Sequence, residues 1–448
     1  MNHEENLELP DEQILIEYPA DSTNNMTFTG EKTIIVGLNC GQGDKDLEEA
    51  ERSLSELAEL VETAGGVVVA SVLQNRPAPD TAWFIGRGKL DEIMSAALEL
   101  QAETLVFDDE LSGSQIRNIE DLTGKKVLDR TFVILDIFAG RAKTREGKLQ
   151  VELAQLQYRM SRLIGTGKAL SRLGGGIGTR GPGEAKLETD RRHISRRIAA
   201  LKRNLNSTRE RRERTRQQRH NNDALTAAVV GYTNAGKSSL MNALCSSDLE
   251  TADQVFATLD PVARKLMLPD GQQLILIDTV GFIRKLPHHL VEAFRSTLEE
   301  VTAADLIMHV TDVSDPEAER QIQIVHELLS ELKAMDKPRL HVLNKSDLLV
   351  EPASRTLFFD GEGVKTIQVS ARTGSGLDKL KDALAESAGL GMIPLRLLIP
   401  YDKTGLLSLI KDNGVVDTIE YLEAGTAVRA RVKSSIYSAL AEFIRLAQ

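Results

Sequence analysis

The chain has 448 residues, 27% charged and 41% hydrophobic, an ordinary soluble globular composition long enough for two to four domains. No apolar run approaches the ~18 residues of a membrane helix. The opening residues lack a signal peptide's cationic start, and two cysteines, Cys40 and Cys245, give no disulfide framework or metal spacing. The formal net charge of −11 argues against a nucleic-acid partner only until its distribution is read: Arg145 to His220 carries 20 Lys and Arg against 7 Asp and Glu, a local +13 that leaves −24 on the rest.

Residues 1–31 are expected to be an acidic disordered extension, since the first 30 hold seven acidic residues and no Lys or Arg. From Lys32 the text alternates strands and amphipathic helices. "TIIVGLNC" reads as a strand, and "DLEEAERSLSELAELVETAGG" as a helix with Leu47, Leu54, Leu57, Leu60 and Val61 on one face and Gly65 as its stop. "VVVASVLQ", a helix from about Leu90, "TLVFDD", a short helix and "KKVLD" follow. This alternation predicts a parallel α/β domain over residues 32–144. Two reduced thiols in a cytoplasmic protein fit its cysteine usage.

Residues 145–222 are expected to form a basic antiparallel helical hairpin. Leu149, Leu153, Leu156, Met160 and Leu163 recur at heptad spacing, and Leu187, Ile194, Ile198, Leu201 and Leu205 repeat the phase beyond a breaker-rich loop. A second helix from Glu184 to His220 would be roughly 55 Å long at about 1.5 Å per residue. The loop, 165–183, is so rich in glycine that it reads either as a flexible linker or as an RNA-facing tip. Cations around it favour the tip, with Lys168, Arg172, Gly175, Gly176, Arg180, Gly181, Gly183 and Lys186 as candidate RNA contacts.

Residues 223–389 carry four motifs in order. "GYTNAGKSS" follows the buried-strand signal "TAAVVGY" and opens a helix, the context of a phosphate loop. Gly231, Tyr232, Thr233, Asn234, Ala235, Gly236, Lys237, Ser238 and Ser239 are the candidate nucleotide-binding residues of this loop, and the backbone N–H groups of 232–238 would cradle the β-phosphate. Lys237 would balance the β- and γ-phosphates, and the Ser238 hydroxyl would bind Mg²⁺. Forty residues on, "LILIDTVGF" delivers Asp278 to the magnesium at a strand end, with Thr279, Val280 and Gly281 beside the γ-phosphate. In "LHVLNKSD", Asn344 and Asp347 suit the guanine edge, whose N–H donors a carboxylate accepts and adenine lacks, while Lys345 lays its stem over the base. "VSARTGSG" adds Ser370, Ala371 and Arg372. Of the two threonines between Ser238 and Asp278, Thr258 is preferred over Thr251 as the switch residue and third magnesium ligand.

Together these motifs resemble the translation-factor branch of P-loop GTPases, which implies a Ras-like G domain binding GTP, GDP and Mg²⁺. A water-orienting glutamine is missing, because Phe282 stands in its place. Intrinsic hydrolysis is therefore expected to be slow. Asn234 matches an asparagine that helps hold K⁺ in tRNA-modifying GTPases of the MnmE type, so K⁺ is a further candidate cofactor. The catalytic candidates are Lys237, Thr258, Gly281 and Asn234. Residues 390–448 are expected to be a small α+β domain. The fold class is thus a multidomain α/β protein.

Longer strings, "RGPGEAKLETDRR", "ADQVFATLDPVARKL", "DTVGFIRKLPHHLVEAFRSTLEE", "WFIGRGKLDEI" and "DRTFVILDIFAGRAKTREGKLQVELAQL", resemble the HflX family of GTPases from about Thr33 to Ala388. The resemblance implies a cytoplasmic GTPase on the large ribosomal subunit, its hairpin directed at ribosomal RNA, able to split stalled or idle ribosomes under stress. "GRGK", Gly86 to Lys89, reads as a turn opening a basic helix, although ATP-related activity is attributed to this domain in the family. An alternative reading is a GTPase that regulates a protein partner through the hairpin. A tRNA-modifying enzyme lacks support, for no Cys, His or zinc spacing is present. A monomer is expected, as nothing suggests a long coiled-coil dimer.

Overall fold

The computed structural model describes residues 30–41, 43–163, 182–221, 225–245, 256, 262–285, 295–349, 364–389, 393–432 and 434–445. The chain divides into two compact units, one holding Met1–Asn206 and Arg284–Ala293, the other Ser207–Ile283 and Phe294–Gln448.

The first unit is built on four parallel strands, β1 (Lys32–Asn39), β2 (Val67–Asn75), β3 (Thr104–Phe107) and β4 (Lys126–Asp129), in the order β2-β1-β3-β4. Helix α1 (Asp44–Thr63) buries Leu54, Leu57, Leu60 and Val61, while Leu47 is half-buried. Past its end Gly65 takes φ +92°, a conformation that favours glycine. Helix α2 (Arg87–Glu99) starts inside the "GRGK" stretch, and its Leu90, Ile93 and Ala97 join the core with Ile34, Val36, Leu105 and Phe107. Helix α3 (Gly113–Thr123) opens on a capping box between Ser112 and Gln115.

Two features were not legible in the periodicity. Helix α4 (Arg130–Arg141) buries Val133, Ile134, Leu135, Ile137 and Phe138, and its exposed side, Asp136, Ala139 and Gly140, carries a single charge, so its polar stripe is faint in the sequence. Its N-cap is Asp129, which accepts from the Phe132 N–H at 3.0 Å. Arg130, 1% exposed, donates to Asp108 Oδ1 at 2.7 Å, to Glu56 and to the Ser53 carbonyl at 3.3 Å. Lys285 Nζ donates to Asp108 Oδ2 at 2.5 Å. Burial alone would raise the Asp108 carboxyl, but the charges of Arg130 and Lys285 pull it below the usual carboxylate range.

Helix α5 (Arg145–Leu163) has two working faces. Gly147, Gln150, Val151, Ala154 and Tyr158 are buried, and the helix packs on α4 and α3. The heptad positions Leu149, Leu156, Met160 and Leu163 are only half-buried, with Leu153 buried among them. Helix α6 (Pro182–Asn221) is 40 residues long, with Ile194, Ile198 and Leu205 half-buried and Leu201 buried. Arg197 grips Glu152 with bonds of 2.7 and 3.0 Å, while Arg159 and Leu163 line one cavity with Asp190 and Ile194. That reversed order is the pairing of an antiparallel hairpin.

The second unit holds a six-stranded sheet: β5 (Leu225–Gly231), β6 (Ala263–Met267), β7 (Gln273–Asp278), β8 (Leu306–Asp312), β9 (Arg339–Asn344) and β10 (Lys365–Gln368), in the order β10-β9-β8-β5-β7-β6. All pairs are parallel except β6 with β7. Helices α7 (Lys237–Cys245), α8 (Arg295–Ala303), α9 (Ala318–Glu331) and α10 (Leu377–Gly389) complete it. Leu240, Met241 and Leu244 of α7 and Leu380 and Leu384 of α10 share a core with Ala227, Val229, Met308, Val310 and Val342. Beyond it, β11 (Ile393–Ile399), β12 (Gly414–Leu422) and β13 (Gly425–Val432) form an antiparallel sheet in the order β11-β13-β12. Helices α11 (Gly405–Asn413) and α12 (Ser434–Leu440) supply Ile410, Ile436 and Leu440 to its core.

Candidate nucleotide site

Strand β5 is buried from Ala227 onward because neighbours flank it on both edges, β7 on one side and β8 on the other. It ends at Gly231, where a Cβ would lie 2.2 Å from the Val310 carbonyl oxygen and φ is +156°. Only glycine lets the chain turn there. The loop runs through Asn234, exposed and left-handed at φ 59°, and Gly236 at φ +83°, before α7 begins at Lys237. A loop of this form leading directly into a helix N-terminus is the arrangement whose backbone N–H groups hold a phosphate.

Lys237 is buried, and its Nζ donates to the carbonyls of Gly231 at 3.1 Å and Tyr232 at 2.7 Å. Burial pushes the ammonium down to about 8, and the charge of Asp278 opposes that fall. Ser238 Oγ donates to Asp278 Oδ2 at 2.7 Å, with Asp278 itself fully buried at the end of β7. A hydroxyl and a carboxylate brought together at a phosphate loop make an all-oxygen donor set, which fits a hard cation such as Mg²⁺.

After Asp278 the chain returns to the loop. Thr279 Oγ1 donates to the Val229 carbonyl at 2.7 Å. The Phe282 N–H donates to the Gly231 carbonyl at 3.1 Å, and the Thr233 N–H donates to the Phe282 carbonyl at 2.7 Å. A Cβ on Gly281 would meet Thr233 at 3.0 Å and Lys237 Nζ at 3.1 Å, so a bare backbone suits the close approach. Phe282 is 2% exposed: the residue in the glutamine position belongs to the packing.

The residues expected to read guanine meet at the ends of β8, β9 and β10. Asn344, 1% exposed, donates from Nδ2 to the Ala235 carbonyl at 3.0 Å and accepts from the Ala371 N–H on Oδ1 at 3.1 Å. It thereby ties the phosphate loop, its own motif and the "VSAR" segment together. Asp347 accepts from Ser370 Oγ at 2.6 Å on one oxygen and from Arg372 Nη2 at 2.5 Å on the other. The Ser370 hydroxyl, helped by the Arg372 charge, holds its carboxyl below the usual range, which keeps it an acceptor. Lys345, left-handed at φ 59°, pairs with Asp312 at 2.7 Å. Asp312 was not singled out in the sequence, although an acid closing the buried strand in "LIMHVTD" is the signal that could have found it.

The structure thus gathers Gly231 to Ser239, Asp278 to Gly281, Asn344, Lys345, Asp347 and Ser370 to Arg372 at the ends of one sheet. Thr258 lies outside the described residues, as do Thr251, Lys168, Arg172, Gly175, Gly176, Arg180 and Gly181. Gly183 and Lys186 fall within α6. Among the described residues no group of three or more His, Cys, Asp or Glu could hold a metal, and no helix is long and apolar enough to cross a membrane.

Three family descriptions match in succession: a GTP-binding GTPase N-terminal region over residues 51–139, a GTP-binding GTPase middle region over 141–219, and a 50S ribosome-binding GTPase over 226–345. GTPase HflX of Lacrimispora saccharolytica is 49% identical over 412 residues, 92% of this chain and 96% of that one. The chain belongs to the HflX family of GTPases. It is accordingly an enzyme that binds guanine nucleotide and hydrolyses GTP. The HflX GTPase of Escherichia coli is 40% identical over 407 residues, 91% of this chain and 94% of the relative. Among solved structures, a GTP-binding protein of the archaeon Sulfolobus solfataricus in complex with GDP is 26% identical, covering 80% of this chain and 98% of that one at a TM-score of 0.43.

Proposed function

We propose that this GTPase is a nucleotide switch that docks on the large ribosomal subunit in the cytoplasm and dissociates stalled or idle ribosomes under stress. The observation that carries the reading is the buried Phe282, locked by backbone bonds to the phosphate loop where a water-orienting side chain is needed. A phenyl ring accepts no proton and aims no water, so turnover waits for a group supplied by the partner.

In this reading the loop from Gly231 to Ser239 wraps the phosphates with backbone N–H groups. Lys237 gives up its bonds to the Gly231 and Tyr232 carbonyls for the β- and γ-phosphate oxygens, whose charge holds it as an ammonium. Ser238, Asp278 and Thr258 would hold Mg²⁺, which offsets charge on the β- and γ-phosphates. The Gly281 N–H meets the γ-phosphate, so its loss on hydrolysis releases the segment after Asp278. Asn344 and Asp347 read the guanine edge, Lys345 lays its stem over the base, and the Ala371 N–H reaches the guanine oxygen. Asn234 would help hold K⁺ near the transferred phosphate.

The partner assignment is supported by the likeness of residues 226–345 to a 50S ribosome-binding GTPase family and by the charge of +13 between Arg145 and His220. Lys168, Arg172, Gly175, Gly176, Arg180, Gly181, Gly183 and Lys186 are the residues assigned to ribosomal RNA. Phosphate contact and shape carry that binding, since aromatics are nearly absent from the segment. The protein acts as a monomer.

GTP hydrolysis by the purified chain, alone and with large ribosomal subunits, tests the reading, with Lys237→Ala as the blank. A many-fold rise with subunits is expected. Turnover unchanged by subunits overturns it in favour of regulation of a protein partner through the hairpin. Equal rates in Na⁺ and K⁺ buffers remove K⁺ from the scheme.

A further inference from the structure

Lys345 is a flexible cation whose only use in the reading above is its alkyl stem, and something must hold that stem. Asp312 closes β8 directly opposite Asn344 in the β8–β9 register, and the Val313 N–H donates to the Asn344 carbonyl at 3.0 Å. The two carboxylate oxygens of Asp312 do different work. Oδ1 accepts from the Ser314 N–H at 2.9 Å and from Ser314 Oγ at 2.6 Å, which fixes the carboxylate on its own loop. Oδ2 is left for the Lys345 ammonium at 2.7 Å. The pair is partly buried, with the Asp312 side chain 13% and the Lys345 side chain 28% exposed. At the other wall, a Cβ on Gly236 of the phosphate loop would lie 4.0 Å from Lys345 Cε, in ordinary contact. The backbone of Lys345 is held in the left-handed region, so its stem has one fixed origin and one fixed end.

We propose that Asp312 is a positioning residue for the guanine base, acting through Lys345. By anchoring the ammonium it keeps the four-carbon stem stretched beside Gly236 before nucleotide arrives. Ordering a rotamer-rich side chain at an interface is normally a cost of binding, and here the fold meets it in advance. This rests on the reading that the Lys345 stem lies over the base. The contact is with a face of the ring and ignores its edge, so its loss falls alike on guanine and hypoxanthine nucleotides.

The test is a double-mutant cycle in the full chain, read as the dissociation constants of fluorescent GDP and IDP analogues. Asp312→Asn keeps an oxygen for Ser314 but removes the charge that holds Lys345. It is expected to weaken both nucleotides about 2- to 13-fold, with the loss appearing in KM for GTP. Lys345→Met is expected to weaken binding too, and the double variant to bind no worse than Lys345→Met alone, because the second change finds nothing left to position. Ser314→Ala removes the hydroxyl bond to Oδ1, keeps the backbone N–H bond at 2.9 Å and does not touch Lys345, so it is expected to leave affinity within about twofold. Additive losses in the cycle, a Ser314→Ala loss equal to that of Asp312→Asn, or no Asp312→Asn effect beside a weakened Lys345→Met would each overturn the role of Asp312. A Lys345→Ala chain, which lacks the stem that methionine keeps, overturns the underlying reading of Lys345 if it binds GDP as tightly as the parent, and is distinguished by that result alone.

Discussion

Replacing Asn344 by alanine probes the joint on which the nucleotide site hangs. The side chain bridges two peptide groups, the Ala235 carbonyl at 3.0 Å and the Ala371 N–H at 3.1 Å. Asn344 and Ala235 are each 1% exposed, so truncation leaves the Ala235 carbonyl without its partner in a dry place and the Ala371 N–H without its partner at a half-buried residue. A buried peptide group stripped of its hydrogen bond costs about 1–3 kcal/mol, which makes roughly 2–6 kcal/mol for the two. Ala371 is only half-buried and water reaches it, so the lower part of that range applies, about 2–4 kcal/mol. Where that loss appears entirely as disorder that GDP must reverse, it is at most a rise of about 30- to 700-fold in the GDP dissociation constant, and any part not so expressed appears in unfolding. Asn344→Asp is no milder, because it sets a second acceptor against the Ala235 carbonyl. The assay is titration of a fluorescent GDP analogue, with denaturant unfolding of the nucleotide-free chain run in parallel to separate binding from folding. An Asn344→Ala chain that binds GDP within fivefold of the parent, with unchanged unfolding, refutes the bridging argument.

Arg130→Met breaks the buried cluster with Asp108 and Glu56 and should destabilise the first unit by about 3–5 kcal/mol. Trp83, the single tryptophan, packs against that unit's core and reports its unfolding in isolation; a midpoint unmoved in denaturant would show the cluster to be neutral. Lys237, pushed down to about 8 by burial in the folded chain, loses its proton before the unfolded chain does. The unfolded state then binds more protons between about pH 8 and 10.5, so nucleotide-free stability should rise with pH across that window. The rise should vanish in Lys237→Met, and a Lys237→Met curve parallel to the parent contradicts it. Asp347→Asn exchanges a two-oxygen acceptor for one oxygen and one donor, which suits xanthine better than guanine. Competition between GDP and XDP should reverse in order, and retained GDP preference counts against Asp347 as the reader. If the hairpin meets ribosomal RNA, affinity for large subunits should fall by 0.7 to 0.9 log units per log unit of salt for each phosphate neutralised, whereas a salt-insensitive association points to a protein contact.

The nucleotide motifs were legible in the one-dimensional text because each is a local device. Gly231, Gly236 and Gly281 stand where backbone must turn or approach closely, and Asp278 and Asn344 close apolar runs that could only be buried parallel strands. Spacing along the chain therefore carried the site almost as far as the coordinates do. The alternation of strands and helices likewise announced a parallel α/β unit, and the heptad phase announced a hairpin.

Other features could be decided only by packing. Helix α4 has little polar face to betray its period, because Asp136 is the one charge on an exposed side otherwise made of Ala139 and Gly140. Helix α5 carries a second buried face, through Gly147, Val151, Ala154 and Tyr158, that its heptad pattern masks. The partners of Arg130 lie 22 and 74 residues away, and those of Asp347 lie 23 and 25 away. Which acid meets which cation at such separations depends on strand register and on the depth at which each side chain comes to rest. Asp312 shows the division most plainly. Its identity as an acid at a strand end was written in the sequence, but its bond to Lys345 exists because β8 and β9 pair with Asp312 opposite Asn344. Local chemistry determined what each residue can bind, and long-range register determined what it meets.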